Sequence, residues 1–113
     1  MSIFRIKEGD LVPAITATLM QAVGTAAAVA IDLTSASSIK FAMRNTSDNT
    51  IKVDAAATIV SAAAGTVKYQ WAGTDTDTAG SYQAEWQIVW PAGKQTVPGA
   101  GYDTILIGTD VAT

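Results

Sequence analysis

The run Thr78-Ala-Gly-Ser-Tyr-Gln-Ala-Glu-Trp-Gln-Ile-Val-Trp90 limits the folds open to this chain more than any other feature. From residue 81 on, Tyr82, Ala84, Trp86, Ile88 and Trp90 share one parity, and Ser81, Gln83, Glu85 and Gln87 share the other. Val89 is the single lapse. Successive side chains of an extended strand point to opposite faces, so the pattern predicts a half-buried antiparallel strand with an aromatic inner face.

Similar runs recur at intervals of about 8–12 residues, separated by Gly, Pro, Asn, Asp or Ser. Residues 4–7 form the first, closed by Glu8-Gly9-Asp10. Residues 13–20 form the second, with Ile15, Ala17 and Leu19 on one face and Thr16 and Thr18 on the other. Pro13 stands at its start, where a missing N–H is tolerated. Residues 21–28 carry no pattern beyond a turn at Gly24, and residues 29–33 read as a short edge segment. In residues 38–44, Ile39, Phe41 and Met43 face inward and Lys40, Ala42 and Arg44 outward. A polar loop at 45–49 precedes a weaker strand at 51–53.

Residues 54–65 admit two readings. Alanine favours helix, with Asp54 as a cap and Gly65 as a stop. The β-branched run Thr58-Ile59-Val60, and the lack of an apolar stripe at helical spacing, favour a short strand over 58–61 and a tight Ala62-Ala63-Ala64-Gly65 connection. Residues 66–71 then place Val67, Tyr69 and Trp71 inward. After Trp90, Pro91-Ala92-Gly93 turns the chain into residues 94–97. Pro98-Gly99-Ala100-Gly101 breaks that strand, and residues 102–107 complete it. The expectation is one domain over residues 1–113, all-β, an aligned antiparallel sandwich of about seven strands.

A chain of 113 residues suits one domain. Its 49% hydrophobic and 15% charged residues set it apart from disordered sequences. Much of the apolar content is alanine, which contributes little buried area, so the aromatic rings must supply the core. Phe41, Tyr69, Trp71, Tyr82, Trp86 and Ile88 are the predicted structural core. Trp71, Trp86 and Trp90 could instead form a sugar-stacking platform. Their shared parity with Tyr82, Ile88, Val67 and Tyr69 favours the core, where a large ring contributes about 2–3 kcal/mol. Trp90, beside Pro91, is the ring expected to be partly exposed.

Composition argues against most chemistry. The net charge is −3 and no run of Lys or Arg occurs, so nucleic acid is not an expected partner. The chain has no cysteine and no histidine, which removes thiolate sites, the commonest general base and the commonest metal ligand. Serines and threonines have no base beside them in the sequence. Glu8 and Glu85 are the only glutamates, and Glu85 lies on an outer strand face, which gives no carboxylate pair for glycoside hydrolysis. Asp75 and Asp77 could offer oxygens to calcium, but Thr74-Asp-Thr-Asp-Thr78 reads better as side-chain-to-backbone turns. Gly99 and Gly101 lack the strand–loop–helix setting of a phosphate cradle and read as a bulge. No catalytic residue, metal or cofactor is therefore expected, and the chain is not read as an enzyme. Charges interrupt residues 1–10 before any apolar core develops, so they do not read as a signal peptide, and the apolar runs are too short to span a bilayer, so no membrane partner is expected.

Two features are similar to immunoglobulin domains. Asp77-Thr-Ala-Gly-Ser-Tyr82 resembles the approach to strand F that carries a tyrosine corner, with one residue more between Asp and Tyr than in antibody domains. Ala84 takes the place of the second cysteine, and Phe41 that of the strand C tryptophan. More specifically, the order of motifs resembles the Ig-like modules of tailed-bacteriophage virion proteins, nearest the N-terminal domain of the baseplate upper protein family. The motifs are Phe4-x-Ile6-Lys-x-Gly9-Asp10 with Pro13, Asp32-Leu-Thr34, Phe41-x-Met-Arg44, and Ala63-Ala-Gly-x-Val-x-Tyr-x-Trp71. Thr78-Ala-Gly-x-Tyr82-x-x-Glu-Trp86 and the step from Pro98 to Tyr102 complete the set. The resemblance implies an Ig-like sandwich acting as a non-enzymatic virion structural protein. That protein would be assembled in the host cytoplasm and bind other virion proteins, in several symmetric copies, in the tail, baseplate or head–tail region. Capsid decoration and a glycan-binding or host-adhesion module are the alternatives it leaves open.

Overall fold

In the computed structural model, which describes residues 3–21, 27–97 and 103–109, every regular element is a β-strand. In chain order they are β1 (Ile3–Lys7), β2 (Ile15–Thr18), β3 (Met20–Gln21), β4 (Val29–Ala30), β5 (Ser38–Asn45) and β6 (Ile51–Ala56). There follow β7 (Thr58–Ser61), β8 (Thr66–Tyr69), β9 (Gly80–Trp90), β10 (Gly93–Val97) and β11 (Asp103–Gly108). One sheet runs β1-β11-β9-β5-β6, with β10 also on β9. A second runs β2-β8-β7, and β3 pairs β4. All ladders are antiparallel except β1 with β11.

The long strand β9 organises the larger sheet. One of its edges takes β5 along residues 82–89. The other is shared, β10 lying on 86–90 and β11 on 80–84. The break predicted at residues 98–101 and the start of the last strand at Tyr102 lie outside the described residues.

Alternation along β9 carries through to packing. Tyr82, Ala84, Trp86 and Ile88 are buried, as are Ile39, Phe41 and Met43 of β5. Across the ladder Phe41 faces Trp86, Ile39 faces Ile88, and Met43 faces the small Ala84, so volumes interlock row by row. The second sheet adds Ile15, Val67 and Tyr69 to the same cluster. Phe41 stacks on Tyr69 at 5.0 Å between centroids, meets Trp86 at 4.8 Å, and meets Trp71 edge-on at 5.7 Å. Offset and edge-on ring pairs add attraction beyond their buried area.

The strand count differs from the expected seven or so, for local reasons. β3, at the start of the patternless residues 21–28, pairs with β4, which falls in the edge segment expected over 29–33. Their neighbours Leu19 and Ile31 are buried, and the Ile31 N–H donates to the Leu19 carbonyl at 2.8 Å. β6 continues past Val53 to Ala56, and after Ala57, whose N–H donates to Ile39, the chain enters β7 in the other sheet. The strand expected over 13–20 begins only at Ile15 and is interrupted at Leu19, with β2 before it and Met20 already in β3, and the one over 66–71 stops at Tyr69. Trp71 lies beyond that strand's end and is still 1% exposed.

The Ala62-to-Gly65 connection between β7 and β8 is a turn with Gly65 at φ +72°. A Cβ there would stand 2.5 Å from the Ile31 carbonyl oxygen and 3.2 Å from that of Leu19. Glycine is required by both the left-handed conformation and this close approach of three backbone segments.

Candidate functional site

Phe41, Tyr69, Trp71, Tyr82, Trp86 and Ile88 all lie in the buried cluster, none more than 6% exposed. They act on each other and on the backbone. Tyr82 Oη donates to the Thr78 carbonyl at 2.7 Å, four residues upstream, despite the extra residue in the Asp-to-Tyr spacing. Burial of the ring pushes the Tyr82 phenol pKa upward. Tyr69 Oη donates to the Asp75 carboxylate at 2.6 Å, and desolvation together with that carboxylate raises the Tyr69 pKa well above its ordinary value.

Trp90 is half-buried against the core, and its indole N–H donates to Gln95 Oε1 at 2.9 Å across the β9–β10 turn. With Trp71 and Trp86 each 1% exposed, the three indoles do not share an open surface.

The aspartates of the Thr74–Thr78 segment are occupied by their own fold. Asp75 also accepts from the Ala72 N–H at 2.9 Å. Asp77 accepts from Lys52 Nζ and from Thr78 Oγ1, and the Lys52 contact chiefly holds its pKa below the usual carboxylate value. Between them Thr76 is buried, its hydroxyl donating to the Asp10 carbonyl at 2.8 Å while its own carbonyl accepts from Gly9. This loop thereby ties the β1–β2 connection to the start of β9. Nothing in the sequence singles out Thr76 from the threonines around it. Among the described residues, no group of three or more Asp, Glu, His or Cys side chains converges as a metal site would require.

The loop at 45–49 and the approach to β5 use the same device. Asp48 accepts from the Thr50 N–H and hydroxyl, and Asp32 does so from Thr34, which lowers both carboxyl pKa values. These are turns that fix strand starts.

The outward face of the larger sheet is the other candidate surface. Lys40, Ala42 and Arg44 of β5 alternate outward beside Gln87, Glu85 and Gln83 of β9, in register. Lys40 pairs with Asp54 at 2.8 Å, and Arg44 donates through Nε and Nη2 to Gln83 Oε1 at 3.0 and 2.9 Å. The long side chains surround Ala42 and leave a shallow concavity of about 200 Å³. A narrower groove of about 120 Å³ runs between β1, β2 and β11, lined by Ile3, Phe4, Ile15, Ala17 and Ile105, with Trp86 also on its wall. Sequence reasoning placed Lys40, Ala42, Arg44 and Glu85 outward but had no means of seeing their mutual arrangement, which depends on strand register.

No protein-family model and no curated protein matches this chain.

Proposed function

We propose that the chain is an Ig-like β-sandwich that serves as a non-enzymatic structural module of a tailed-bacteriophage virion. In this reading it binds neighbouring virion proteins in the tail, baseplate or head–tail region. Strand order supports the architecture: β1-β11-β9-β5-β6 opposite β2-β8-β7 follows an immunoglobulin arrangement in which β9, β5 and β11 take the parts of strands F, C and G. The hydrogen bond from Tyr82 to Thr78 supports it as a tyrosine corner. Ring packing of Phe41 on Tyr69 of the second sheet supplies the inter-sheet contact that a disulfide makes in antibody domains.

The functional half of the reading is carried by the ordered set of motifs from Phe4 to Tyr102, which spans nearly the whole sequence. Within the described residues these motifs fall on core positions and tight turns: Ile6, Phe41, Met43, Tyr69, Trp71 and Trp86 are buried, and Asp32 and Gly65 hold turns. A scaffold whose Asp32, Asp48, Asp75 and Asp77 are engaged in loops and turns and whose large rings are engaged in the core leaves its edges and outer faces for docking.

Mass spectrometry of purified particles, from a phage whose genome encodes this chain, tests the reading. The chain is expected at a stoichiometry comparable to other structural proteins. Its absence from particles made while it is expressed overturns the proposal.

A further inference from the structure

We infer that the outer face of the larger sheet around Ala42 docks against the same face of a second copy of this chain. The argument starts from register. Ala42 stands opposite Glu85 on one side and opposite Asp54 on the other, and its outward neighbours along β5 are Lys40 and Arg44. The small residue is thus flanked by cations along the strand and by carboxylates across it. Outward positions repeat about every 6.8 Å along a strand, and adjacent strands lie about 4.8 Å apart, so the four charges form a cross whose arms differ by about 2 Å, a mismatch that the long Lys and Arg side chains span. A quarter turn of such a cross exchanges its signs.

Sheets pack face to face either nearly aligned or nearly orthogonal. In the orthogonal arrangement, a two-fold axis lying in the interface along the diagonal of the cross sets Arg44 of each copy over Glu85 of the other. The same operation sets Lys40 over Asp54, and the two-fold makes every contact twice. Ile51, 64% exposed, stands beside Arg44 at one corner of this face, and Gln87, beside Lys40, holds the diagonally opposite corner. The same axis carries the Ile51 of one copy onto the Gln87 of the other, whose aliphatic stem covers it at the rim.

Glu85 distinguishes this face from an ordinary solvated sheet surface. Lys40, Asp54 and Arg44 already have partners within the chain. Glu85 is half-buried beside Ala42, and among the described residues it makes no hydrogen bond or ion pair. A second copy supplies the cation it lacks. The inference stands independently of the virion reading, because it concerns the chain with itself.

The experiment is sedimentation velocity on the purified chain up to about 1 mM, a range that registers contacts as weak as about 4 kcal/mol. The expected result is a reversible dimer that weakens as salt is raised. Glu85→Arg alone and Arg44→Glu alone each weaken it by about tenfold or more. An equimolar mixture of the two variants forms a heterodimer, since Arg44 then meets Glu85 on one side and the exchanged charges meet on the other. If near-UV circular dichroism shows that either charge reversal disturbs the fold, Glu85→Gln and Arg44→Gln replace them, each expected to weaken the dimer several-fold. A wild-type chain that stays monomeric throughout, or a dimer unmoved by these substitutions, overturns the inference.

Discussion

Gly65→Ala is the sharpest test of how the alanine-rich half of this chain is built. Two costs apply. At φ +72° an L-residue in the left-handed region costs about 1–2 kcal/mol. The new Cβ would also stand 2.5 Å from the Ile31 carbonyl oxygen and 3.2 Å from that of Leu19, both backbone atoms that cannot rotate away. Forced shifts of this kind cost about 1–3 kcal/mol. The total is about 2–5 kcal/mol. It falls on the hydrogen bonds from Leu19 N–H to Gly65 and from Ile31 N–H to Leu19, both 2.8 Å.

Gly73→Ala provides the control, because Gly73 has φ +53° and nothing within 4 Å of its Cβ position. Both substitutions gain the same unfolded-state entropy term of about 0.4–1 kcal/mol, so it cancels in the comparison. Urea unfolding with matched m values should give Gly65→Ala a midpoint clearly lower than that of Gly73→Ala. Equal midpoints would mean that the three backbone segments do not meet at Gly65, and would refute the packing described for β3, β4, β7 and β8.

Four further outcomes follow from the same structure. Trp86→Ala should cost about 3–5 kcal/mol in urea unfolding, and Trp90→Ala distinctly less, because Trp90 is only half-buried; the reverse order would contradict the inner face assigned to β9. Tyr82→Phe should cost about 1–3 kcal/mol by removing the donor to the Thr78 carbonyl, and an unchanged midpoint would dismiss the corner as a stabilising contact. The phenols of Tyr69 and Tyr82 have raised pKa values in the folded chain, so the stability they contribute is complete below about pH 10 and is lost as pH climbs through the folded values; ultraviolet titration should show both ionising together with unfolding. Asp77, whose pKa is lowered by Lys52, works in the opposite sense: its contribution holds above the ordinary carboxylate range and fades with acid, and in Lys52→Met the acid limb should flatten.

Strand parity was legible because large and polar residues alternate. In β9 and β5 each position announces its face, from Ile39 to Met43 and from Tyr82 to Ile88. The loop at 45–49 was legible by composition, and Asp48 fixes its end by serving donors two residues on; Asp32, read as part of an edge segment, turns the chain the same way. Alanine hides the rest. The pairing of β3 with β4 and the extension of β6 through Ala55 and Ala56 involve segments whose side chains say nothing about facing. Trp71 remains buried beyond its strand because Phe4, Phe41 and Tyr69 surround it, a contact set by tertiary packing. The parallel pairing of β1 with β11 joins the two ends of the described chain and has no local signature. The Ala42 face was hidden for the same reason: each residue's direction was readable, but the cross of charges exists only once β6, β5 and β9 are set in register.

The most direct measurement is acrylamide quenching of tryptophan emission in Trp90→Phe, which leaves Trp71 and Trp86 as the only indoles. With both rings 1% exposed between the strands, the emission should be blue-shifted and nearly insensitive to quencher until the protein unfolds. Red-shifted emission, quenched in the folded state as readily as in urea, would contradict the aromatic core on which the rest of this account is built.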